Sequence, residues 1–337
     1  MDSKLSSFFK DKQILITGGT GSLGQALTEK LLQMNVERIK IFSRNEEKQI
    51  RMENKFHDER LRYFIGDVRD LKRLELAFED VDIVFHAAAL KHVPIVEYNP
   101  FEGIKTNVIG SQNVIDASIK NSVEKVICIG TDKAVSPLNT YGATKLLMEK
   151  LFVSANYYLN PIKHPTKFIA VRYGNVFGSS GSVVPKFIEQ IRKKEKVTIT
   201  DPNMTRFSIT MNEALEFVLE SAVIGEGSEV FVPKLKAYSI MELKDALTEI
   251  VGQVEHDIIG IRPGEKLREV LINEDEVKYT WDMGKTYLIS NPLMYDILEK
   301  RHPEVKKIPE MKIYASDMVQ RIPKEELKQI INKSNLL

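Results

Sequence analysis

Cysteine is nearly absent from this sequence, which has one, Cys128, in 337 residues. A single cysteine excludes a disulfide within the chain, and its position in an apolar run indicates a small buried side chain. No apolar run reaches the length of a membrane span, and the start of the chain lacks the pattern of a signal peptide. Neither sign of charge is in excess, with 48 Lys and Arg against 47 Asp and Glu, which argues against a nucleic-acid surface. We therefore expect a soluble, cytoplasmic protein that binds neither nucleic acid nor membrane.

A glycine-rich turn lies between a short apolar run, residues 14–16, and a helical pattern that begins near Leu23. Strand, glycine turn and helix in this order are typical of dinucleotide binding. Gly18 permits the tight turn, Gly21 lets the main chain approach a pyrophosphate, and Gly24 lets the helix pack close to the strand. The helix N-terminus then faces negative charge. We predict that the whole turn binds the cofactor: Gly18, Gly19, Thr20, Gly21, Ser22, Leu23 and Gly24.

The residues after the second predicted strand, 39–42, indicate which cofactor is bound. An NAD-specific fold carries an acidic residue here, whereas this chain has Arg44 and, one turn later, Lys48. An arginine fork suits the 2′-phosphate of NADP, although a solvated surface arginine is the alternative. We predict NADP, contacted here by Ser43, Arg44, Asn45 and Lys48.

Two further apolar strands end in small or polar residues, at the sheet edge where ligands bind in α/β proteins. Asp67 is suited to accept a hydrogen bond from adenine, and the alanines let the cofactor lie close to the main chain. Asn107, within a helical pattern, bonds either the cofactor or the main chain. Lys91 contacts cofactor or substrate, or is an ordinary surface lysine. These segments add Asp67, Val68, Ala87, Ala88, Ala89 and Asn107 to the predicted cofactor site.

Strands alternate with helices up to Tyr173, which predicts an α/β fold with a doubly wound parallel sheet of the Rossmann type. A glycine- and serine-rich stretch follows, of the kind that tracks an extended ligand. We predict a dinucleotide-binding domain over 1–173, to which later segments return, and a smaller substrate-binding region with a C-terminal cap over 174–337. The turn before Leu267 predicts a helix that contains Leu267 and Val270. The stretch after about Val277 has no assigned chemistry.

The stretch from Thr131 to Lys145 contains two catalytic patterns. Tyr141 and Lys145 are four residues apart and share a helix face. A nearby ammonium favours the tyrosinate, which can remove a hydroxyl proton while hydride leaves for a nicotinamide. Thr131 is suited to hold the same hydroxyl. Asp132 and Lys133 are either an acid–base pair or an ordinary salt bridge on the preceding loop.

These residues resemble those of the extended short-chain dehydrogenase/reductase family, over most of the chain to about residue 271. The narrower resemblance is to the configuration-inverting UDP-N-acetylglucosamine 4,6-dehydratases of pseudaminic acid synthesis. It is carried by Thr131-Asp132-Lys133-Ala134, by Tyr141-Gly142-Ala143-Thr144-Lys145, by Ala88-Ala89-Leu90-Lys91-His92-Val93-Pro94 and by Arg172-Tyr173-Gly174-Asn175-Val176.

The resemblance implies a lyase reaction in which Tyr141 removes the 4-hydroxyl proton of UDP-N-acetylglucosamine and NADP accepts the C4 hydride. Lys133 then removes the C5 proton, and Asp132 helps the 6-hydroxyl leave as water. Hydride returns to C6 and a proton re-enters C5 from the opposite face, so NADP stays tightly bound and is recycled. A lysine base needs a lowered pKa, which burial near the nicotinamide would provide.

The resemblance further implies a homo-oligomer and a sugar-nucleotide site, with no metal ligands. The substrate-binding residues it implies are Lys91, Tyr173, Asn175, Val183, Thr200, Arg206, Arg262 and Glu265. A sugar-nucleotide 4-epimerase or a dehydratase–epimerase on the same fold is the nearest alternative. A non-catalytic NADP-binding regulator is the alternative of another class, and the intact catalytic residues argue against it.

Overall fold

The apolar runs of the sequence fold into strands, and the stretches of helical spacing between them fold into helices. The computed structural model describes residues 2–179, 182–261, 264–308, 310–334 and 336–337. The strands are β1 (Gln13–Thr17), β2 (Arg38–Ser43), β3 (Leu61–Ile65), β4 (Ile83–His86), β5 (Lys125–Ile129), β6 (Lys167–Val171), β7 (Asn175–Val176), β8 (Val197–Ile199), β9 (Thr205–Ile209), β10 (Glu229–Pro233), β11 (Ala237–Ser239), β12 (His256–Ile258), β13 (Val270–Ile272), β14 (Thr280–Asp282), β15 (Thr286–Ser290), β16 (Lys306–Lys307) and β17 (Tyr314–Ala315).

The helices are α1 (Asp2–Phe9), α2 (Ser22–Leu32), α3 (Glu46–Phe56), α4 (Leu71–Ala77), α5 (Val93–Tyr98), α6 (Pro100–Ile104), α7 (Gly110–Lys120), α8 (Thr140–Tyr158), α9 (Val183–Arg192), α10 (Met211–Ile224), α11 (Ile240–Val251), α12 (Glu274–Val277), α13 (Tyr295–Arg301) and α14 (Lys324–Lys333). A π-helical segment, Lys105–Ile109, joins α6 to α7, and a 3₁₀ turn, Asp132–Ala134, precedes α8. In the ranges described above, no helix combines the length and the apolar character needed to cross a membrane.

The main sheet has the strand order β16-β14-β15-β10-β6-β5-β4-β1-β2-β3. Its strands from β3 to β10 pair in parallel, and β15, β14 and β16 continue it as antiparallel strands. The predicted doubly wound parallel sheet is therefore confirmed. The strand order reverses between β1 and β4, and the crevice at such a reversal is where open α/β sheets bind ligands.

The central strands are buried on both faces because helices cover each side of the sheet. On β1, Ile14 and Ile16 pack in a cluster with Leu27 of α2, whereas Leu15 packs in a second cluster with Phe152 of α8. This is the alternation expected of a strand that lies between two helical layers. The two layers fix where the carboxyl ends of the strands, and hence the site, are located.

The chain after Tyr173 contributes to two parts of the molecule. β10, β14, β15 and β16 extend the main sheet, whereas α9, α11 and α14 pack around a separate apolar cluster that includes Phe187, Leu243 and Leu327. The predicted helix containing Leu267 and Val270 is wrong. Val270 begins strand β13, which pairs antiparallel with β17, so a long-range partner decides the conformation of this segment.

Candidate active site

A cleft of about 630 Å³ opens around the glycine turn that follows β1. At Gly18, φ is +67° and a Cβ atom would come within 2.8 Å of the main-chain nitrogen of Ala88, so only glycine fits where the two loops meet. The predicted cofactor residues that line the cleft are Gly18, Thr20, Gly21, Ser22, Leu23, Gly24, Ser43, Arg44, Asn45, Lys48, Asp67, Val68, Ala87, Ala88, Ala89, Tyr141 and Lys145.

The N-terminus of α2 faces this cleft, and no side chain caps it. Gly21 is the N-cap residue, and it supplies no side-chain hydrogen bond to the first turn. The first N–H groups of a helix have no partners within the helix, so this end is suited to an anionic group. At Gly24, a Cβ atom would lie 2.4 Å from the carbonyl oxygen of Gly19, which shows how closely the helix approaches the turn. The residues therefore fit the pyrophosphate of a dinucleotide.

Charged side chains surround the predicted adenosine end of the cleft. The Asp67 carboxylate accepts hydrogen bonds from Arg69 at 2.7 and 3.0 Å and lies 3.6 Å from the Arg44 guanidinium. Burial raises the pKa of Asp67, but the bonds and charge of the arginines lower it overall. Arg69 was not predicted from the sequence. Its hydrogen bonds use acceptor positions of the Asp67 carboxylate that the prediction gives to the adenine amino group.

Asn107 differs from the prediction of a cofactor contact. Its amide accepts from the main-chain N–H of Leu90 at 2.8 Å and donates to the Leu90 carbonyl and to Thr144, each at 3.0 Å. The side chain is fully buried and does not line the cleft. The main-chain alternative is therefore correct, and Asn107 holds the loop that presents Ala88 and Lys91. Gly19 also lies outside the cleft lining, where it packs against Ile41.

The loop after β5 places Thr131 in the lining of the cleft, whereas the next two residues, Asp132 and Lys133, lie behind Thr131 and do not line it. Thr131 is the N-cap of the 3₁₀ turn and donates to Asp132 Oδ1 at 2.9 Å. The main-chain N–H of Asp132 donates to the carbonyl of Tyr173, which fixes this loop against the end of β6. The Asp132 side chain is fully buried, and its second oxygen has no hydrogen-bond partner in the described part of the chain.

Lys133 lies in a cluster of polar groups beside Asp132. Its Nζ donates to Asp132 Oδ1 at 3.1 Å and to Asn175 Oδ1 at 3.2 Å. Burial by itself lowers the pKa of Lys133, but the charges of Asp132 and Glu269 outweigh it, and the pKa is raised. The protein groups around Lys133 thus act against the lowered pKa that a lysine base needs, and a lowering by a bound nicotinamide stays a prediction. The two carboxylates keep Lys133 protonated.

Tyr141 and Lys145 lie on α8 as predicted, and both line the cleft. The Lys145 Nζ donates to the carbonyl of Ile129 at 2.7 Å and lies 3.1 Å from the sulfur of Met148. Burial raises the pKa of Tyr141, and the opposing effects come from the charge of Lys133 and a hydrogen bond with Thr131. The charge of Lys133 therefore favours ionisation of Tyr141, but burial and the charge of Asp132 outweigh it and the pKa of Tyr141 is raised overall.

Glu269 belongs to this site and was not predicted. Its Oε1 lies 3.7 Å from Lys133 Nζ and 3.6 Å from Arg206 Nε, and its side chain is 5% exposed. The sequence holds no local signal for it, because it is more than a hundred residues from Lys133 in the chain. It reaches the site through β13.

The predicted substrate residues occupy several positions around the cleft. Lys91, Tyr173 and Asn175 line it, and Arg206 reaches Lys133 through Glu269. Glu265 lies between Gly264, whose carbonyl accepts from Asn139, and Lys266, whose Nζ donates to the carbonyl of Val135. Val183 begins α9 and Thr200 follows β8, and neither lines the cleft. Arg262 lies outside the described residues.

Comparisons with known proteins show which family this chain is similar to. Residues 14–291 match the model of a family described as polysaccharide biosynthesis protein. The chain is 49% identical, over 84% of each chain, to the UDP-N-acetylglucosamine 4,6-dehydratase (inverting) of Campylobacter jejuni subsp. jejuni serotype O:23/36 (strain 81-176). It is 40% identical, over 96% of each chain, to the UDP-glucose 4-epimerase of Rickettsia felis (strain ATCC VR-1525 / URRWXCal2). The X-ray structure of Pen from Bacillus thuringiensis matches 98% of this chain and all of that chain, with a TM-score of 0.90 and 39% identity. The chain is thus an enzyme that belongs to the polysaccharide biosynthesis protein family, within the extended short-chain dehydrogenase/reductases.

Proposed function

We propose that the enzyme carries out the NADP-dependent, C5-inverting 4,6-dehydration of UDP-N-acetylglucosamine, with a 6-deoxy-4-keto sugar as product. The observation that carries this proposal is the direct contact between Lys133 Nζ and Asp132 Oδ1 at 3.1 Å, close to Tyr141. Removal of water across C5 and C6 needs one group that takes a proton from carbon and another that gives a proton to the leaving oxygen. Further support comes from the dehydratase relative. The product would enter pseudaminic acid-type glycan synthesis.

Tyr141 acts on the 4-hydroxyl in this proposal. Its phenol is buried, and a base at this position has to lose its own proton before it takes one from the sugar. The positive charge of Lys133 and the hydrogen bond with Thr131 both favour the ionised form. The bound NADP supplies the hydride acceptor and the hydride donor. Arg44 and Lys48 are the groups suited to bind the 2′-phosphate of NADP.

Asp132 and Lys133 then exchange one proton along their hydrogen bond. The Lys133 ammonium gives its proton to Asp132, which leaves a neutral amine beside a neutral carboxylic acid. The amine takes the proton from C5, which the adjacent C4 ketone has made acidic, and the acid gives its proton to the 6-oxygen as the C6–O bond breaks. The pair starts and ends as ammonium and carboxylate, so it is ready for the next turnover without an external acid or base.

A 4-epimerase is the second candidate, because relatives with that name match 96% of the chain. Inversion at C4 needs a base for the 4-hydroxyl and a sugar that turns over within the site. It has no use for an acid and a base that act at C5 and C6. The buried Asp132–Lys133 contact therefore favours dehydration.

Incubation of the enzyme with UDP-N-acetylglucosamine in D₂O tests the proposal. We expect a product that has lost one water and carries deuterium at C5, read by mass spectrometry and proton NMR. A Lys133→Met variant should lose the reaction, whereas Lys163→Met, at an exposed lysine beyond α8, should retain it. A 4-epimer that keeps its 6-hydroxyl would show the epimerase instead. Failure to convert any UDP-sugar while NADP still binds would contradict both enzymes.

A further inference from the structure

Glu269 is a buried carboxylate for which the proposed reaction has no direct use. It lies between two cations, 3.7 Å from Lys133 Nζ and 3.6 Å from Arg206 Nε. Its second oxygen, Oε2, has no hydrogen-bond partner among the described residues. Both ion-pair contacts are longer than a hydrogen bond, so the carboxylate acts on its neighbours by charge.

The main chain of Glu269 is fixed by the last part of the chain. Its N–H donates to Ser316 Oγ at 2.9 Å, and the N–H of Ser316 donates to the Glu269 carbonyl at 2.8 Å. The Ser316 hydroxyl also lies 2.7 Å from Thr205 Oγ1, next to Arg206. The segment that follows β16 therefore holds Glu269 against the substrate side of the site. This gives a role to a stretch that carried no predicted chemistry.

Stability alone does not account for this arrangement. A buried carboxylate with an unpartnered oxygen costs free energy, and apolar replacements of buried ion pairs are often equally stable or more stable. Buried charges with incomplete hydrogen bonding cluster at functional sites. The groups that act on Lys133 by charge or face it are Asp132, Glu269, Tyr141, Arg206, Tyr238 and Lys266. Of these, only Asp132 and Glu269 are carboxylates, and Asp132 exchanges its proton in the proposed reaction.

We propose that Glu269 is a positioning residue, which holds the Lys133 ammonium group against Asp132. The Glu269 carboxylate also attracts the Arg206 guanidinium. Glu269 takes no part in the proton exchange between Lys133 and Asp132, so Lys133 keeps a second carboxylate beside it when Asp132 becomes neutral. The ammonium that forms when Lys133 takes the C5 proton is thereby stabilised. The role of Glu269 in the reaction rests on the proposed dehydration, but the protonation state of Lys133 can be measured without any turnover.

The test is the rate of Lys133 acetylation by acetic anhydride in the full-length protein at one fixed pH of about 9, because only the neutral amine reacts. Peptide mass spectrometry gives this rate. In Glu269→Gln, we expect the rate to rise by about tenfold, since one of two neighbouring negative charges is lost and each pKa unit changes the neutral fraction tenfold. Asp275→Asn removes an exposed carboxylate six residues away and should leave the rate unchanged.

The conservative variant Glu269→Asp keeps the negative charge but moves it away from Lys133, so its acetylation rate should lie between those of the wild type and Glu269→Gln. It decides the test alone if Glu269→Gln does not fold, which a thermal melt shows. The same acetylation rate in wild type and variants would overturn the inference. If UDP-N-acetylglucosamine is converted, the alkaline limb of the kcat/KM profile should move to lower pH in Glu269→Gln. If it is not converted, the proposed function fails, while the labelling result still decides the role of Glu269.

Discussion

Arg172 and Glu149 form a fully buried ion pair that joins the end of β6 to the middle of α8. Arg172 Nε donates to Glu149 Oε2 at 2.9 Å, a second guanidinium nitrogen donates to Oε1, and both side chains are inaccessible to solvent. Glu276 accepts from the same guanidinium at 2.9 Å. Arg172 precedes Tyr173 of the cleft, and Glu149 lies two turns after Tyr141. The pair therefore fixes the catalytic helix relative to the end of the sheet.

Removal of one partner should cost much of the stability of the protein. In Glu149→Ala, the buried guanidinium keeps only Glu276, and breaking a buried pair typically costs about 3–5 kcal/mol. Urea unfolding followed by circular dichroism gives the free energy of unfolding. Glu216→Ala, at an exposed position of α10, should change it by roughly 0.5 kcal/mol or less. A similar small change in both variants would mean that the pair does not organise this part of the fold.

Removal of the Tyr141 hydroxyl should abolish most of the turnover and leave the fold intact. In Tyr141→Phe, no group can take the 4-hydroxyl proton, and loss of such a base typically lowers kcat by roughly 10²- to 10⁴-fold. The measurement is the initial rate of product formation, with NADP binding measured separately. Tyr158→Phe, at an exposed tyrosine near the end of the same helix, is the matched control. Wild-type turnover in Tyr141→Phe would remove Tyr141 from the reaction.

The parts of the site that the sequence predicts are those in which the signal lies within one short segment. The glycine turn includes its own strand and helix, so the conformation of Gly18 follows from local spacing. Tyr141 and Lys145 share one helix face for the same reason. Each of these predictions needs only the geometry of neighbouring residues.

The parts that sequence reasoning misses depend on contacts between distant segments. For Lys133, the sequence predicts a pKa lowered by burial near a nicotinamide. In the structure, the charge of Asp132, its neighbour in the chain, raises the pKa, and so does that of Glu269, whose position is set by pairing of β13 with β17. Asn107 bonds Leu90 rather than a cofactor because a loop from another βα unit lies beside it. Tertiary packing decides the position of Glu269 and the contact of Asn107 with Leu90, and no spacing in the chain encodes either.

Cofactor preference should depend on Arg44, at the edge of the cleft 3.6 Å from Asp67. In Arg44→Ala, the 2′-phosphate of NADP loses a charged partner, and we expect its Kd to rise by roughly 10- to 100-fold, with that of NAD little changed. Isothermal titration calorimetry with both dinucleotides measures the preference. Arg51→Ala removes an exposed arginine from the adjacent α3 and should have no effect on it. An unaltered ratio of the two Kd values would contradict a role for Arg44 in selecting NADP.

A second buried pair makes the stability of the protein depend on pH. His302 Nε2 lies 2.9 Å from Glu229 Oε1, and both side chains are almost fully buried. Burial lowers the pKa of His302, but the hydrogen bond and charge of Glu229 outweigh it, with smaller contributions from Glu304 and Glu226, and the pKa lies above 6.5. Because the folded value exceeds the unfolded one, this stabilisation is fully present below about pH 6.5 and is lost as the pH rises through the folded pKa.

Replacement of His302 should therefore destabilise the protein more in acid than in alkali. In His302→Asn, we expect a loss on the order of 1–3 kcal/mol near pH 6, because Glu229 is left without its charged donor. The loss should shrink above the folded pKa, where the wild-type imidazole is neutral. Urea unfolding at a series of pH values measures the difference. His57→Asn, at an exposed left-handed position that asparagine tolerates, should show no such trend. A deficit that is constant across pH would mean that the His302–Glu229 contact does not involve a charged imidazole.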